Sequence, residues 1–195
     1  ISCATNASVS ATDLGAGTTP VTANVFTTSG MFNTFTTSAC TFWIIGFGTL
    51  IGAAGGGLGY SAGMALGVKL ARPDSRVVHI EGDGGFHFST PSSVYAVSQS
   101  YGLPILTVVL DNGGWQAVKE AVLRVHPQGA AAQTQQFYAR WPGEQRRYDK
   151  VAEAFGAHGE WVRCANDMEP ALDRCLAALQ AGRSAVLVAS VTKMG

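Results

Sequence analysis

Two short apolar runs, Arg76-Val77-Val78-His79-Ile80 and Ile105-Leu106-Thr107-Val108-Val109-Leu110, constrain the fold more than any other part of this chain. Each has the length of a buried strand and leads directly into an acidic, glycine-rich stretch. These stretches are Glu81-Gly82-Asp83-Gly84-Gly85 after the first run and Asp111-Asn112-Gly113-Gly114 after the second. Between the runs, Ser89-Thr90-Pro91-Ser92 reads as a helix start with proline in the first turn, and Gly102-Leu103-Pro104 as its stop. Strand, helix and strand so closely spaced make a parallel β-α-β unit with a right-handed crossover. Both runs then end at the same edge of a sheet, and Asp83 and Asn112 meet there although 112 − 83 = 29 positions separate them. Open α/β sheets bind ligands outside the carboxyl ends of their strands. A carboxylate and a carboxamide are hard oxygen ligands, and glycines let a phosphate approach the backbone, so the expected guest is a metal-bound diphosphate.

The rest of the chain extends this unit. Gly55-Gly56-Gly57-Leu58-Gly59 leads into a helix over residues 60–70, stopped at Arg72-Pro73-Asp74, whose small residues suit close packing on a sheet or a neighbouring subunit. A helical pattern runs from Ala117 to Val125, with its N-terminus pointing back at the crevice. Residues 128–147 read as a mobile surface or lid loop. A helix over 148–155 ending at Gly156, a strand over 160–163, a helix over 168–181 closed by Gly182 and a last buried strand over 185–191 follow. The expected fold is α/β: an open, mostly parallel sheet with helices on both faces. Residues 1–40, rich in Ser, Thr, Ala and Gly, are read as an irregular segment or linker, in which Val21 to Thr28 is an alternative strand. The domain proper is placed at 41–195.

Composition narrows the partners. Thirteen basic and thirteen acidic residues balance, which leaves no electrostatic footprint for nucleic acid or an anionic membrane. Cys3, Cys40, Cys164 and Cys175 show no CxxC pairing, which suits reduced thiols and a cytoplasmic location. The most apolar window, Phe42 to Leu58, is too short and too interrupted by glycine for a membrane span, and no signal peptide is legible.

Gly82-Asp83-Gly84 followed at this distance by Leu110-Asp111-Asn112 resembles the diphosphate-binding pattern of thiamine-diphosphate enzymes, GDG followed by NN. The surrounding Gly57-Leu58-Gly59, Ala65-Leu66-Gly67, Leu70-Ala71-Arg72-Pro73-Asp74 and Tyr101-Gly102-Leu103-Pro104 resemble the acetolactate synthase and 2-oxo acid decarboxylase branch, over roughly residues 55–190. The resemblance implies a thiamine-diphosphate-binding fold, the C-terminal diphosphate-binding domain of such an enzyme. Thiamine diphosphate and Mg2+ are the implied cofactors. Asp83, Asn112 and the Gly114 carbonyl would hold the metal, and Gly84, Gly85, Trp115, Gln116 and Ala117 would offer backbone N–H groups to the diphosphate. Gly56, Gly57 and Leu58 would meet the aminopyrimidine side, with Leu58 as the apolar wedge beneath a bent cofactor. Three positions depart from the pattern. Asp111 replaces the first asparagine and is read as a turn cap. Gly85 stands in place of a serine or threonine hydroxyl. Val118 stands where pyruvate decarboxylases carry a catalytic glutamate.

The family's activating glutamate belongs to a separate pyrimidine-binding domain, so no catalytic acid or base is assigned to this chain. That domain is expected on another chain or on a further N-terminal part, in a homo- or hetero-oligomer. The leading function is decarboxylation of a small 2-oxo acid, with possible ligation of the resulting enamine to a second carbonyl. One alternative is the small subunit of a two-chain decarboxylase for sulfopyruvate or phosphonopyruvate, with Arg124 and Arg140 as candidate anion binders. Another is a non-catalytic domain that retains the fold. His87 is read as structural, Trp115 as either substrate wall or packing, and His79, His126 and His158 as lacking carboxylate partners in sequence.

Overall fold

The computed structural model describes residues 58–139 and 146–191. Four strands, β1 (Val78–Gly82), β2 (Leu106–Asp111), β3 (His158–Val162) and β4 (Ala185–Ser190), form one sheet in the order β1-β2-β4-β3. Every pairing is parallel, with Ile80 opposite Val108 and Val108 opposite Leu187. The helices are α1 (Tyr60–Ala71), α2 (Asp83–Phe88), α3 (Pro91–Tyr101), α4 (Gln116–Val125), α5 (Ala130–Thr134), α6 (Tyr148–Glu153) and α7 (Met168–Gln180). The step from β1 to β2 and the step from β3 to β4 run in opposite directions across the sheet. Crossovers of one hand must therefore set their helices on opposite faces.

The core shows that division residue by residue. Val186 and Val188 of β4 pack with Val109, Phe86, Tyr95, Tyr148 and Ala152, the side of α2, α3 and α6. Their neighbours Ala185 and Leu187, pointing the other way, pack with Leu106, Val162 and with Ala171 and Cys175 of α7. A third cluster joins Ala62, Ala65 and Leu66 of α1 to Val77, Val94 and Ile105. This is the α/β architecture expected, parallel and covered on both faces.

Local differences from the expected elements have identifiable causes. The glycine-rich stretch after β1 is not a loop, because Asp83 opens α2 directly from the strand. Pro91 takes the first turn of α3, but Thr90 does not cap it with its hydroxyl. Its carbonyl accepts instead from the amides of Ser93 at 2.9 Å and Val94 at 3.2 Å. Part of the expected lid is helical, as α5, and the segment after it is tied back by the Trp115 amide, which donates to the Ala139 carbonyl at 2.7 Å. Among the described residues no helix is long and apolar enough to cross a membrane. The expectations for residues 1–57, including Gly56, Gly57, Cys3, Cys40 and the boundary at residue 40, lie outside the described residues, as does Arg140.

Candidate functional site

β1 and β2 end side by side, with Gly82 in register with Leu110, so Asp83 and Asn112 leave the same edge of the sheet from adjacent strands. The two segments are bonded to one another. The Gly113 amide donates to Asp83 Oδ2 at 3.1 Å and also to Asp111 Oδ1 at 3.0 Å. The Gly114 amide donates to Asn112 Oδ1 at 3.2 Å. Gly113 has φ 88, a left-handed turn that points its amide back at both carboxylates and that favours glycine. Asp111 thus caps the turn, as read from sequence. Two carboxylates nevertheless converge on one N–H, and Asp83 is only 1% exposed. Like charges so placed repel in a low dielectric, and a cation bound between them would relieve that repulsion.

The donor set fits a hard divalent ion. An Asp carboxylate, an Asn carboxamide and a backbone carbonyl are the ligand types that such cations take, and a carboxylate offers about four lone-pair sites. Among the described residues no group of three or more His, Cys, Asp and Glu side chains is arranged to hold a metal ion. A cation here would therefore need oxygens from the cofactor itself, which a diphosphate carries.

The remaining predicted residues fall as follows. Gly84 and Gly85 lie in the first turn of α2, and a Cβ built on Gly84 would stand 2.5 Å from Trp115 Cδ1. The glycine therefore makes room for the indole. Trp115 also meets Phe88 and His87 edge-on, at ring-centre distances of 5.8 and 6.3 Å. Its amide serves the Ala139 carbonyl, which corrects the expectation that this N–H faces the anion. Gln116 starts α4. Leu58 is 57% exposed and is followed by Gly59, on which a Cβ would collide with the Phe88 carbonyl. Leu58, Phe88 and Val118 leave apolar surface open near the strand ends. Arg124 lies in the last turn of α4, eight residues from its start, roughly 12 Å along the axis from the crevice end.

Sequence reasoning missed a buried polar group beside the site. His79 and Glu81 are alternate residues of β1 and so share a face, with Nδ1 and Oε1 3.7 Å apart and each residue 6% exposed. Burial pushes Glu81 up to about 8 and His79 down to about 4. The Ser61 hydroxyl of α1 donates to Glu81 Oε2 at 3.4 Å, linking the helix behind Leu58 to the strand that ends at Asp83. His158 likewise pairs with Glu160 two residues on, at 2.8 Å, and Glu160 also accepts a bidentate bond from Arg174. The period of two was the available signal in both cases. Tyr148 was passed over as well. It is 4% exposed, and its hydroxyl has no hydrogen-bond partner among the described residues.

A parallel sheet whose adjacent strands β1 and β2 run out into acidic, glycine-rich segments at one edge has the architecture of a ligand-binding α/β domain. Comparison with known proteins makes it specific: the family described as thiamine pyrophosphate enzyme, C-terminal TPP binding domain, matches residues 21–189, and the chain belongs to that family. A probable acetolactate synthase of Mycobacterium bovis is 34% identical over 122 residues, 63% of this chain and 20% of that protein. The 2-hydroxyacyl-CoA lyase 1 of Mus musculus is 29% identical over 137 residues, 64% of this chain and 21% of that one. The chain thus spans about a fifth of the length of these relatives. A solved thiamine diphosphate-dependent 4-hydroxybenzoylformate decarboxylase of Rhodococcus jostii shares the fold. It superposes with a TM-score of 0.60 at 20% identity, over 78% of this chain and 27% of that one.

Proposed function

We propose that this chain is the Mg-thiamine-diphosphate-binding part of an acetolactate-synthase-like enzyme that decarboxylates a small 2-oxo acid and can join the product fragment to a second carbonyl. The observation that carries the reading is the convergence of Asp83 and Asp111 on the Gly113 amide at the ends of adjacent parallel strands. Asp83, Asn112 and the Gly114 carbonyl would hold the metal. The amides of Gly84 and Gly85 and the start of α4 at Gln116 would face the diphosphate, with the Trp115 indole as a wall. Leu58, with Gly56 and Gly57, would meet the aminopyrimidine side. The cofactor, when bound, supplies the electron sink for decarboxylation. This chain's part is to bind and orient it and to shield it from water.

Activation of the cofactor falls to a pyrimidine-binding domain on another chain or another part of the polypeptide, which makes the working enzyme an oligomer or a multidomain chain. The domain boundary near residue 40 belongs to the same proposal. Free Cys164 and Cys175 support a reducing, cytoplasmic setting.

Calorimetric titration of the full-length protein with thiamine diphosphate, with and without Mg2+, tests the reading. Binding that requires Mg2+ and is lost in Asp83→Ala is expected. Absence of Mg-dependent binding in the wild type would favour a domain that keeps the fold without the cofactor.

A further inference from the structure

Tyr148 opens α6, directly across from α2, and its ring meets Phe86 edge-on at 5.3 Å between centres. Phe86 lies three residues after Asp83, so the phenol packs against the helix that Asp83 opens. Its hydroxyl is buried, and no described residue bonds to it. Leaving a buried hydroxyl unpaired is unfavourable, and a phenylalanine would fill the same core without that penalty. The carboxylates of Asp83 and Asp111 both act on it and, after burial, are the next causes that raise its pKa, while Arg146 opposes them. A phenol held protonated in this way is a hydrogen-bond donor, and what it lacks is an acceptor.

We propose that the Tyr148 hydroxyl is a further cofactor-binding group, donating a hydrogen bond to a diphosphate oxygen of the ligand that fills the Asp83–Asn112 crevice. The inference rests on the proposed function and extends it to a residue outside the GDG and NN segments. The donor comes from α6, well apart in sequence from the Gly84 and Gly85 amides of α2. It belongs to a helix that packs on the same core as α2, so its position is fixed before the ligand arrives.

The test is Tyr148→Phe in the full-length protein, read by calorimetry and thermal melting. Affinity for Mg-thiamine diphosphate and for Mg-pyrophosphate should each fall by about tenfold, as loss of one charge-assisted bond predicts, while any affinity for thiamine stays unchanged. The ligand-free variant should melt no lower than the wild type, because its hydroxyl has no partner to lose. Unchanged affinity for both phosphate ligands would overturn the proposal, and so would a ligand-free melting temperature several degrees lower. If the wild type itself binds no Mg-thiamine diphosphate, the proposed function fails with it; a failure confined to the variant comparison removes only the role of Tyr148.

Discussion

The Gly113 amide bridges Asp83 and Asp111, at 3.1 Å from one carboxylate and 3.0 Å from the other. One N–H thus serves two carboxylates, the arrangement on which the proposed Mg2+ site rests. Asp83→Asn separates charge from shape, since its carboxamide oxygen can still accept the Gly113 bond. We expect an apo melting temperature equal to or above that of the wild type, because the repulsion with Asp111 is relieved. Mg-dependent cofactor affinity should drop by about tenfold or more. Retained Mg-dependent affinity would show that Asp83 does not hold the metal.

Gly84 is required by the indole above it. A Cβ there would lie 2.5 Å from Trp115 Cδ1 and 2.7 Å from Nε1, closer than real contacts allow. Alanine in a helix is otherwise favoured over glycine by up to about 1 kcal/mol. Gly84→Ala should nevertheless destabilise by about 1–3 kcal/mol through overpacking and should shift the Trp115 emission. The double variant Gly84→Ala/Trp115→Leu should recover most of the loss in urea denaturation. A Gly84→Ala protein as stable as the wild type, with unaltered fluorescence, would refute the packing account.

The strand pair and the acidic segments were legible in the sequence because each carries its own local signal: β-branched runs, glycines and a proline at a helix start. Asp83, Asp111 and Asn112 fell where those signals put them. What was missed is relational. That His79 and Glu81 share a face follows from the period of a strand, but that this face is buried depends on α1 and α3 folding over it. Tyr148 lies 148 − 83 = 65 positions from Asp83, and nothing in its neighbours announces that α6 packs against α2. Trp115's amide facing Ala139 required knowing that the segment after α5 returns, which polar composition had suggested would stay loose.

Ser184 holds the start of β4 to β2 from outside the ladder. Its hydroxyl accepts the Ile105 amide at 2.9 Å and lies 2.6 Å from the Ser98 hydroxyl, which donates in turn to the Leu103 carbonyl at 2.9 Å. Ile105 is fully buried, so Ser184→Ala strands its N–H without water. A loss of about 1–3 kcal/mol in urea unfolding is expected, with cofactor affinity unchanged. A loss below about 0.5 kcal/mol would mean that the amide finds another acceptor.

The His79–Glu81 pair gives the chain an alkaline sensitivity whose direction can be worked out. Burial raises Glu81 from 4.5 to about 8 and lowers His79 from 6.5 to about 4, so both are uncharged in the folded chain at neutral pH. A group raised by folding stabilises fully below its unfolded value and loses that contribution as pH rises through the folded one. Glu81 therefore erodes stability between about pH 4.5 and 8, whereas His79 erodes it as pH falls from 6.5 towards 4. Between about 4.5 and 6.5 the two slopes cancel, because the folded pair keeps one proton on Glu81 while the unfolded pair keeps one on His79. Above 6.5 only Glu81 still titrates differently in the two states, and stability should fall by about 1.4 kcal/mol per pH unit, or about 2 kcal/mol by pH 8. Glu81→Gln keeps the buried shape and cannot ionise, so its stability should be flat over that range. Urea unfolding at half-unit steps from pH 6 to 8.5 distinguishes the cases, and the same alkaline slope in the wild type and in Glu81→Gln would assign the loss to another group.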